Sequence, residues 1–142
     1  GGGTTDYAVD IYHKAVKNEP FVCYLKEDAV LPMIYMDDAV RATMELMEAP
    51  KREISVRTSY NLQAVSFAPS EIADSIKKYF RDFKISYRPD FRQKIAESWP
   101  NSLDDRQARV DWEWYPEFGL DDITAHMLTQ LSRKQKKICA EK

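Results

Sequence analysis

A chain of 142 residues with 44% hydrophobic and 31% charged side chains has room for one globular domain and the composition of one. A net charge of −2 excludes a general electrostatic pull toward nucleic acid, and no apolar stretch approaches the ~20 residues of a membrane span. Two cysteines, Cys23 and Cys139, stand far apart with no other staple signal, which fits a reducing compartment with one buried and one free thiol.

The chain opens on Gly1-Gly2-Gly3 with neither an initiator Met nor a signal peptide, and it is expected to be a piece of a longer polypeptide. Thr4 or Thr5 is expected to cap a first helix, with Asp6 in its positive first turn. Ala8, Ile11, Tyr12, Ala15 and Val16 form the buried face, and Asn18 to Pro20 end it. Phe21 to Leu25 reads as a strand and Lys26-Glu27-Asp28 as the turn after it. Leu31 to Met36 is apolar without helical period and predicts a buried strand, handed directly to a helix capped by Asp37 and Asp38. Along that helix Val40, Thr43, Met44 and Met47 share one stripe, with Ala39, Ala42 and Leu46 beside it, until Pro50. A buried strand passed straight to an amphipathic helix is half of an α/β unit.

Ile54 to Leu62 is rich in β-branched and aromatic residues and reads as mostly extended. The next helix starts at Pro69 with Glu71 at N3, which leaves Ala68 as a poor N-cap. Its apolar face is Ile72, Ala73, Ile76, Phe80 and Phe83. Ile85 to Tyr87 predicts a further strand ended by Pro89, and Asp90 caps a short helix through Ala96 that Trp99-Pro100 closes. Ser102 with Asp105 resembles a capping box for a helical turn through Val110. Residues 111–116 form an aromatic loop, and Gly119 precedes a final helix with Ile123, Met127, Leu128 and Leu131 inward. Its basic end, Arg133 to Lys137, suits the negative helix pole.

The polar residues carry little chemistry by themselves. His13 and His126 have no acidic or Cys partner at ligand spacing and read as surface or interface residues, so no metal site is expected. The pairs Asp37/Asp38, Asp104/Asp105 and Asp121/Asp122 stand at helix starts, where capping accounts for them. The five methionines read as core. Two absences decide more. With four glycines, three of them at the start, no G-x-G-x-x-G loop exists to hold a pyrophosphate. None of the eight tyrosines is followed by Lys four positions later, so the Tyr-x-x-x-Lys proton-transfer pair of short-chain dehydrogenases is missing from these residues.

Those absences matter because the rest is similar to the C-terminal portion of a Rossmann-type extended short-chain dehydrogenase. Met33 to Arg41 resembles its strand-to-helix motif, and Ser59-Tyr60-Asn61-Leu62 followed by Glu71-Ile72-Ala73 resembles its next stretch. Ser102 to Pro116, with Ala108 and Trp114-Tyr115-Pro116, resembles the segment before its last helix. Four stretches narrow this: residues 2–8 (GGTTDYA), Leu31-Pro32-Met33, Arg57 to Leu62, and Glu97-Ser98-Trp99-Pro100. Together they resemble the short-chain type of L-threonine 3-dehydrogenase, across residues 1–137, with 138–142 as a tail. The resemblance implies an α/β fold containing the last sheet strands and a small substrate-binding region. It implies NAD as cofactor, oxidation of L-threonine to 2-amino-3-oxobutyrate, a mitochondrial location as in animal enzymes, and homodimers formed through helices that would precede Gly1. It places Thr4, Thr5 and Asp6 in the substrate pocket and makes Trp99 a pocket wall. For the threonines and Asp6, capping remains an equal reading, and for Trp99, packing. No catalytic or cofactor-binding residue is expected in these 142 residues, so the chain is predicted to be inactive alone. The alternative is a non-catalytic remnant or α/β binding module that associates with partners through an exposed sheet edge and apolar faces.

Overall fold

A computed structural model describes residues 3–140. The loop expected at Gly1-Gly2, the basic side chains beyond Gln135, the thiol of Cys139 and the tail beyond Ala140 lie outside the described residues. Tyr7–Val16 (α1) turns Ile11, Tyr12 and Ala15 inward at helical spacing, as expected, and adds Tyr7, while Ala8 and Val16 are half-buried. It ends at Asn18, which takes the left-handed conformation (φ 55°) while the Glu19 N–H reaches back to the Lys14 carbonyl at 3.0 Å. Phe21–Cys23 (β1), Leu31–Met33 (β2), Met36–Glu48 (α2), Val65–Phe67 (β3), Pro69–Lys77 (α3) and Ile85–Tyr87 (β4) follow. Phe91–Glu97 (α4), Arg106–Trp112 (α5) and Leu120–Ala140 (α6) complete the order.

The class is α/β. β1 pairs in parallel with β4, Phe21 opposite Ile85 and Cys23 opposite Tyr87. β2 pairs antiparallel with β3, Leu31 opposite Phe67 and Met33 opposite Val65. The main core gathers α1, α3 and α6 over β1, with Ile11, Cys23, Leu25, Ile72, Ile76 and Leu128 buried. A buried polar pin ties the three helices. The Tyr12 hydroxyl lies 2.9 Å from Thr124 Oγ1, and the Ser75 hydroxyl lies 2.9 Å from the same atom and 2.7 Å from Asp121 Oδ1. Burial pushes the Tyr12 phenol up to about 12, so it stays a proton donor in this apolar setting. A second, smaller core packs Ala42, Ala108 and Trp114 with Ile34, Tyr60, Leu62 and Trp112 at its rim.

Several expectations are corrected. Neither Thr4 nor Thr5 is the N-cap of α1. Asp6 occupies that position with helical backbone angles, and its carboxylate accepts the Gly3 N–H at 3.0 Å instead of a helix donor. α2 begins at Met36, two residues early, with Tyr35 at the cap, because Asp37 and Asp38 serve its first turn rather than precede it. Its buried side holds Asp38 and Ala42, while the Val40–Met44–Met47 stripe faces out. Met36 is exposed as well, and Met33 and Met127 are half-buried, so the methionines are not a core set. Residues 54–62 are irregular, held by side-chain hydrogen bonds rather than a ladder, and the strand in this region is β3. The Ser102–Asp105 box does not form: Asp104 accepts the Arg106 N–H at 3.1 Å, and Asp105 pairs with Arg109 at 2.8 Å. Of the acidic pairs, Asp104 and Asp122 cap turns, while Asp38, Asp105 and Asp121 bind side chains or distant amides.

Ala68 is the N-cap of α3 with extended backbone angles, and the Glu71 carboxylate accepts its N–H at 2.7 Å, half of a capping box without a capping oxygen. Asp90 caps α4 through the Arg92 N–H at 2.9 Å. His13 is exposed. His126, expected without an acidic neighbour, lies half-buried with Nδ1 2.9 Å from the Tyr35 hydroxyl and 4.0 Å from Asp37.

Candidate substrate-side site

The turn that leads into α1 carries Thr4, Thr5 and Asp6 together. Thr4 is nearly buried and the other two are half-exposed. Three bonds close this turn. The Asp6 carboxylate holds the Gly3 N–H at 3.0 Å. The Tyr24 hydroxyl accepts the Tyr7 N–H at 2.7 Å, one of the orphan donors of the first helical turn, and donates to the Gly3 carbonyl at 3.0 Å. Burial holds the Tyr24 phenol above its ordinary value, so the proton given to Gly3 stays on the oxygen. The result is a short polar segment with two hydroxyls and a carboxylate, of which Thr5 and Asp6 are half-exposed and Thr4 is buried, groups able to pair with the ammonium and carboxylate of an amino acid.

The guanidinium of Arg92 of α4 stands over the Tyr24 ring, its carbon 3.2 Å from the ring centre. Asp90 grips that guanidinium through Nε at 3.1 Å and Nη2 at 2.6 Å. Trp99, the fourth predicted residue, is not part of this cluster. It follows the far end of α4, its N–H on the Ala96 carbonyl at 3.1 Å and its ring 43% exposed. The structure thus brings Thr4, Thr5 and Asp6 together and places Trp99 at the opposite end of α4 from Arg92. Tyr24 and Arg92 have no periodic or motif signal in the sequence, since 68 positions separate them and only the fold joins them.

A polar hollow of about 270 Å³ lies between α4 and the segment before β2, lined by Lys26, Asp28, Leu31, Gln93, Glu97 and Asn101. Of its three charged residues two are paired, Lys26 Nζ to Glu97 at 2.7 Å, with Gln93 bonded to Glu97 and to the Lys26 N–H. Among the described residues no group of three His, Cys, Asp or Glu could hold a metal ion, and no helix is long and apolar enough to cross a membrane.

The 55–62 segment is fastened by Asp111 at the end of α5. Its carboxylate accepts the Tyr60 hydroxyl, the Ser55 N–H at 2.9 Å and hydroxyl at 2.8 Å, and the Gln107 amide at 2.7 Å. Led by the Tyr60 bond, these donors hold the Asp111 carboxyl well below the usual carboxylate range. The network therefore stabilises the fold fully above about pH 4, and the stabilisation is lost as the pH falls toward the native value. Asp111→Asn should flatten the acid side of the stability profile, read as the urea midpoint against pH below about pH 4. Parallel profiles for parent and variant would remove this carboxylate from the acid response.

No family model matches the chain. Sequence relatives are close. An L-threonine 3-dehydrogenase, mitochondrial, of Bos taurus is 51% identical over 129 residues, 90% of this chain and 34% of the relative. A protein named as an uncharacterized epimerase/dehydratase of Staphylococcus saprophyticus is 43% identical over 137 residues, 96% of this chain and 43% of the relative. The solved L-threonine dehydrogenase from Cupriavidus necator in its holo form is 56% identical, with a TM-score of 0.90, over 92% of this chain and 42% of that one. The chain thus spans about a third to under a half of the length of the proteins it matches, and it covers their C-terminal part.

Proposed function

This chain is homologous over most of its length to the C-terminal part of L-threonine 3-dehydrogenases of the extended short-chain type, and from that premise we propose that it forms the substrate side of such an enzyme. The observation that carries the reading is the agreement of sequence and fold: 50–56% identity with TM-scores of 0.89–0.91 across 92–94% of the chain for four solved threonine dehydrogenases. In this reading residues 1–137 are the substrate-binding region, and the reaction oxidises the 3-hydroxyl of L-threonine to 2-amino-3-oxobutyrate with NAD. Thr4, Thr5 and Asp6 contact the amino acid, and Trp99 walls the pocket. The Bos taurus and Sus scrofa relatives, both named as mitochondrial, support that location, and a homodimer formed through helices outside these residues is proposed from the family resemblance alone. NAD would be held and the proton moved by residues outside these 142, which contain neither the glycine-rich loop nor the Tyr-x-x-x-Lys pair.

Joining the N-terminal region of the Cupriavidus necator enzyme to this chain tests the reading. The chain alone should form no NADH from L-threonine, and the joined protein should. In the joined protein Thr5→Ala and Trp99→Ala should each lower kcat/KM for L-threonine by about ten- to a hundredfold, roughly 1.5–3 kcal/mol, with NAD affinity nearly unchanged. Trp99→Ala should also relax discrimination against L-serine, since a pocket wall is removed. Kinetic constants within twofold of the parent for both variants would end the pocket assignment. A second reading, a non-catalytic module that docks partners, draws on the outward stripe of Met36, Val40, Met44 and Met47 on α2. Inactivity of a correctly folded joined protein would favour it.

A further inference from the structure

The Tyr24–Arg92 contact lies outside the residues assigned to substrate. Its geometry points to a specific task, which rests on the reading of Thr4, Thr5 and Asp6 as amino-acid contacts. We propose that Tyr24 and Arg92 are positioning residues that set the threonine-contacting turn and tie it to the helix leading to Trp99.

Consider what fixes the turn. Residues 3–6 precede the helix, and a segment before a helix start has freedom that the helix itself lacks. Within the turn Asp6 holds Gly3, and from outside one oxygen joins its two ends: the Tyr24 hydroxyl accepts from Tyr7 at 2.7 Å and donates to Gly3 at 3.0 Å. A phenol making both bonds at once has its hydroxyl direction and ring plane fixed, so the ring becomes a rigid strut from the 21–25 segment to the turn. Tyr7 packs edge-on against the same ring, with centroids 6.3 Å apart and planes at 89°. Arg92 covers a face of the strut at 3.2 Å. The guanidinium is held in its plane by the Asp90 fork, and Asp90 is also the N-cap of α4. A movement of α4 is thereby transmitted to the Tyr24 ring and through its hydroxyl to Gly3 and Tyr7, on either side of Thr4, Thr5 and Asp6. Trp99 follows the other end of α4. Two parts of the proposed pocket that share no motif are thus linked by one contact and one hydroxyl.

The consequence is stereochemical. An amino acid is told from its mirror image only if at least three contacts keep fixed relative positions. Loosening the turn should cost discrimination as well as affinity, whereas a general loss of stability would scale both ligands alike. The test uses the 142-residue chain and follows backbone amide shifts of residues 4–6 by NMR during titration with L-threonine and, separately, D-threonine. The parent should show saturable shifts at these amides and prefer the L form. Tyr24→Phe keeps the ring beneath Arg92 and removes the oxygen. It should weaken L-threonine binding by about three- to tenfold and shrink the L-to-D preference, with the shifts elsewhere in α1 unchanged. Arg92→Lys keeps the charge and loses the guanidinium over the ring with its Asp90 fork, and should move both readouts in the same direction. It also serves as the second route should Tyr24→Phe fold poorly. Saturable parent shifts with both variants unchanged in affinity and preference would overturn the positioning role while leaving the substrate reading standing. Absence of any L-threonine-dependent shift at residues 4–6 in the parent would overturn the substrate reading, and this inference with it.

Discussion

Asp38→Ala is expected to lower stability by about 3–5 kcal/mol, as for removal of one partner from a buried charge pair. The Asp38 side chain is completely buried at the start of α2. It accepts the Glu117 N–H at 3.0 Å, the Phe118 N–H at 3.1 Å and Arg41 Nη2 at 2.8 Å. Alanine would leave two backbone amides and part of a guanidinium without the buried carboxylate that now accepts from them. Arg41 also holds the Tyr115 carbonyl at 2.6 Å and lies 4.7 Å over the Trp114 ring, so the loss would spread along the 114–118 loop. Asp38→Asn retains one acceptor and should fall between parent and Asp38→Ala. Urea titrations of the three proteins measure this. A loss below about 1 kcal/mol for Asp38→Ala would mean that the loop is held by something else.

Trp114→Ala should cost a similar amount, about 3–5 kcal/mol, through the cavity it leaves between α2 and α5. Trp114 has no exposed surface and is the largest member of the smaller core with Ala42 and Ala108. Among the described residues its indole N–H has no hydrogen-bond partner. Removing it also removes an unpaired buried donor, which places the cost toward the lower end of the range. Because the smaller core is separate from the cluster around α1, α3 and α6, the damage should be local at first. Amide hydrogen exchange should rise in α5 and the 114–118 loop and stay slow around Ile11, Ile72 and Leu128. Uniform acceleration through both cores would show that they open as one unit.

The helices that bury an apolar stripe against an apolar partner are legible in the sequence. α1, α3, α4 and α6 fall close to their expected places because Ile11, Ile72, Ala96 and Ile123 follow the helical period, although the cap of α1 is Asp6 rather than Thr4 or Thr5, and Phe80 and Phe83, expected on α3, lie beyond its last residue Lys77. α2 shows where periodicity misleads. Its Met36–Val40–Met44–Met47 stripe is regular, yet the helix turns Asp38 and Ala42 inward, because what packs there is a loop with free N–H groups and an indole. A pattern of hydrophobicity cannot announce a partner that asks for a carboxylate. No strand is expected at Val65–Phe67, where β3 forms. Residues 54–62 have strand-like composition but spend their donors on Asp111. Of the candidate site, Thr4, Thr5, Asp6 and Trp99 came from resemblance alone. The Tyr24–Arg92 contact, made by residues far apart in the chain, had no local signature to read.

The pin between α1 and α6 has a consequence for the order in which the chain can assemble. Tyr12 and Thr124 share a hydrogen bond across 112 positions, and α6 supplies Ile123 and Leu128 to the core that Ile11 also enters. At about 5–20 residues per second, a ribosome that has made α1 needs on the order of ten seconds to make its partner. During that interval, among the elements of this chain, the Tyr7–Ile11–Tyr12–Ala15 face has α3 and β1 to lean on, and the parallel β1–β4 ladder must itself wait for Tyr87. Long-range closures of this kind come late and slowly. Within these residues, α1 is therefore made early and secured late, when α6 closes over it.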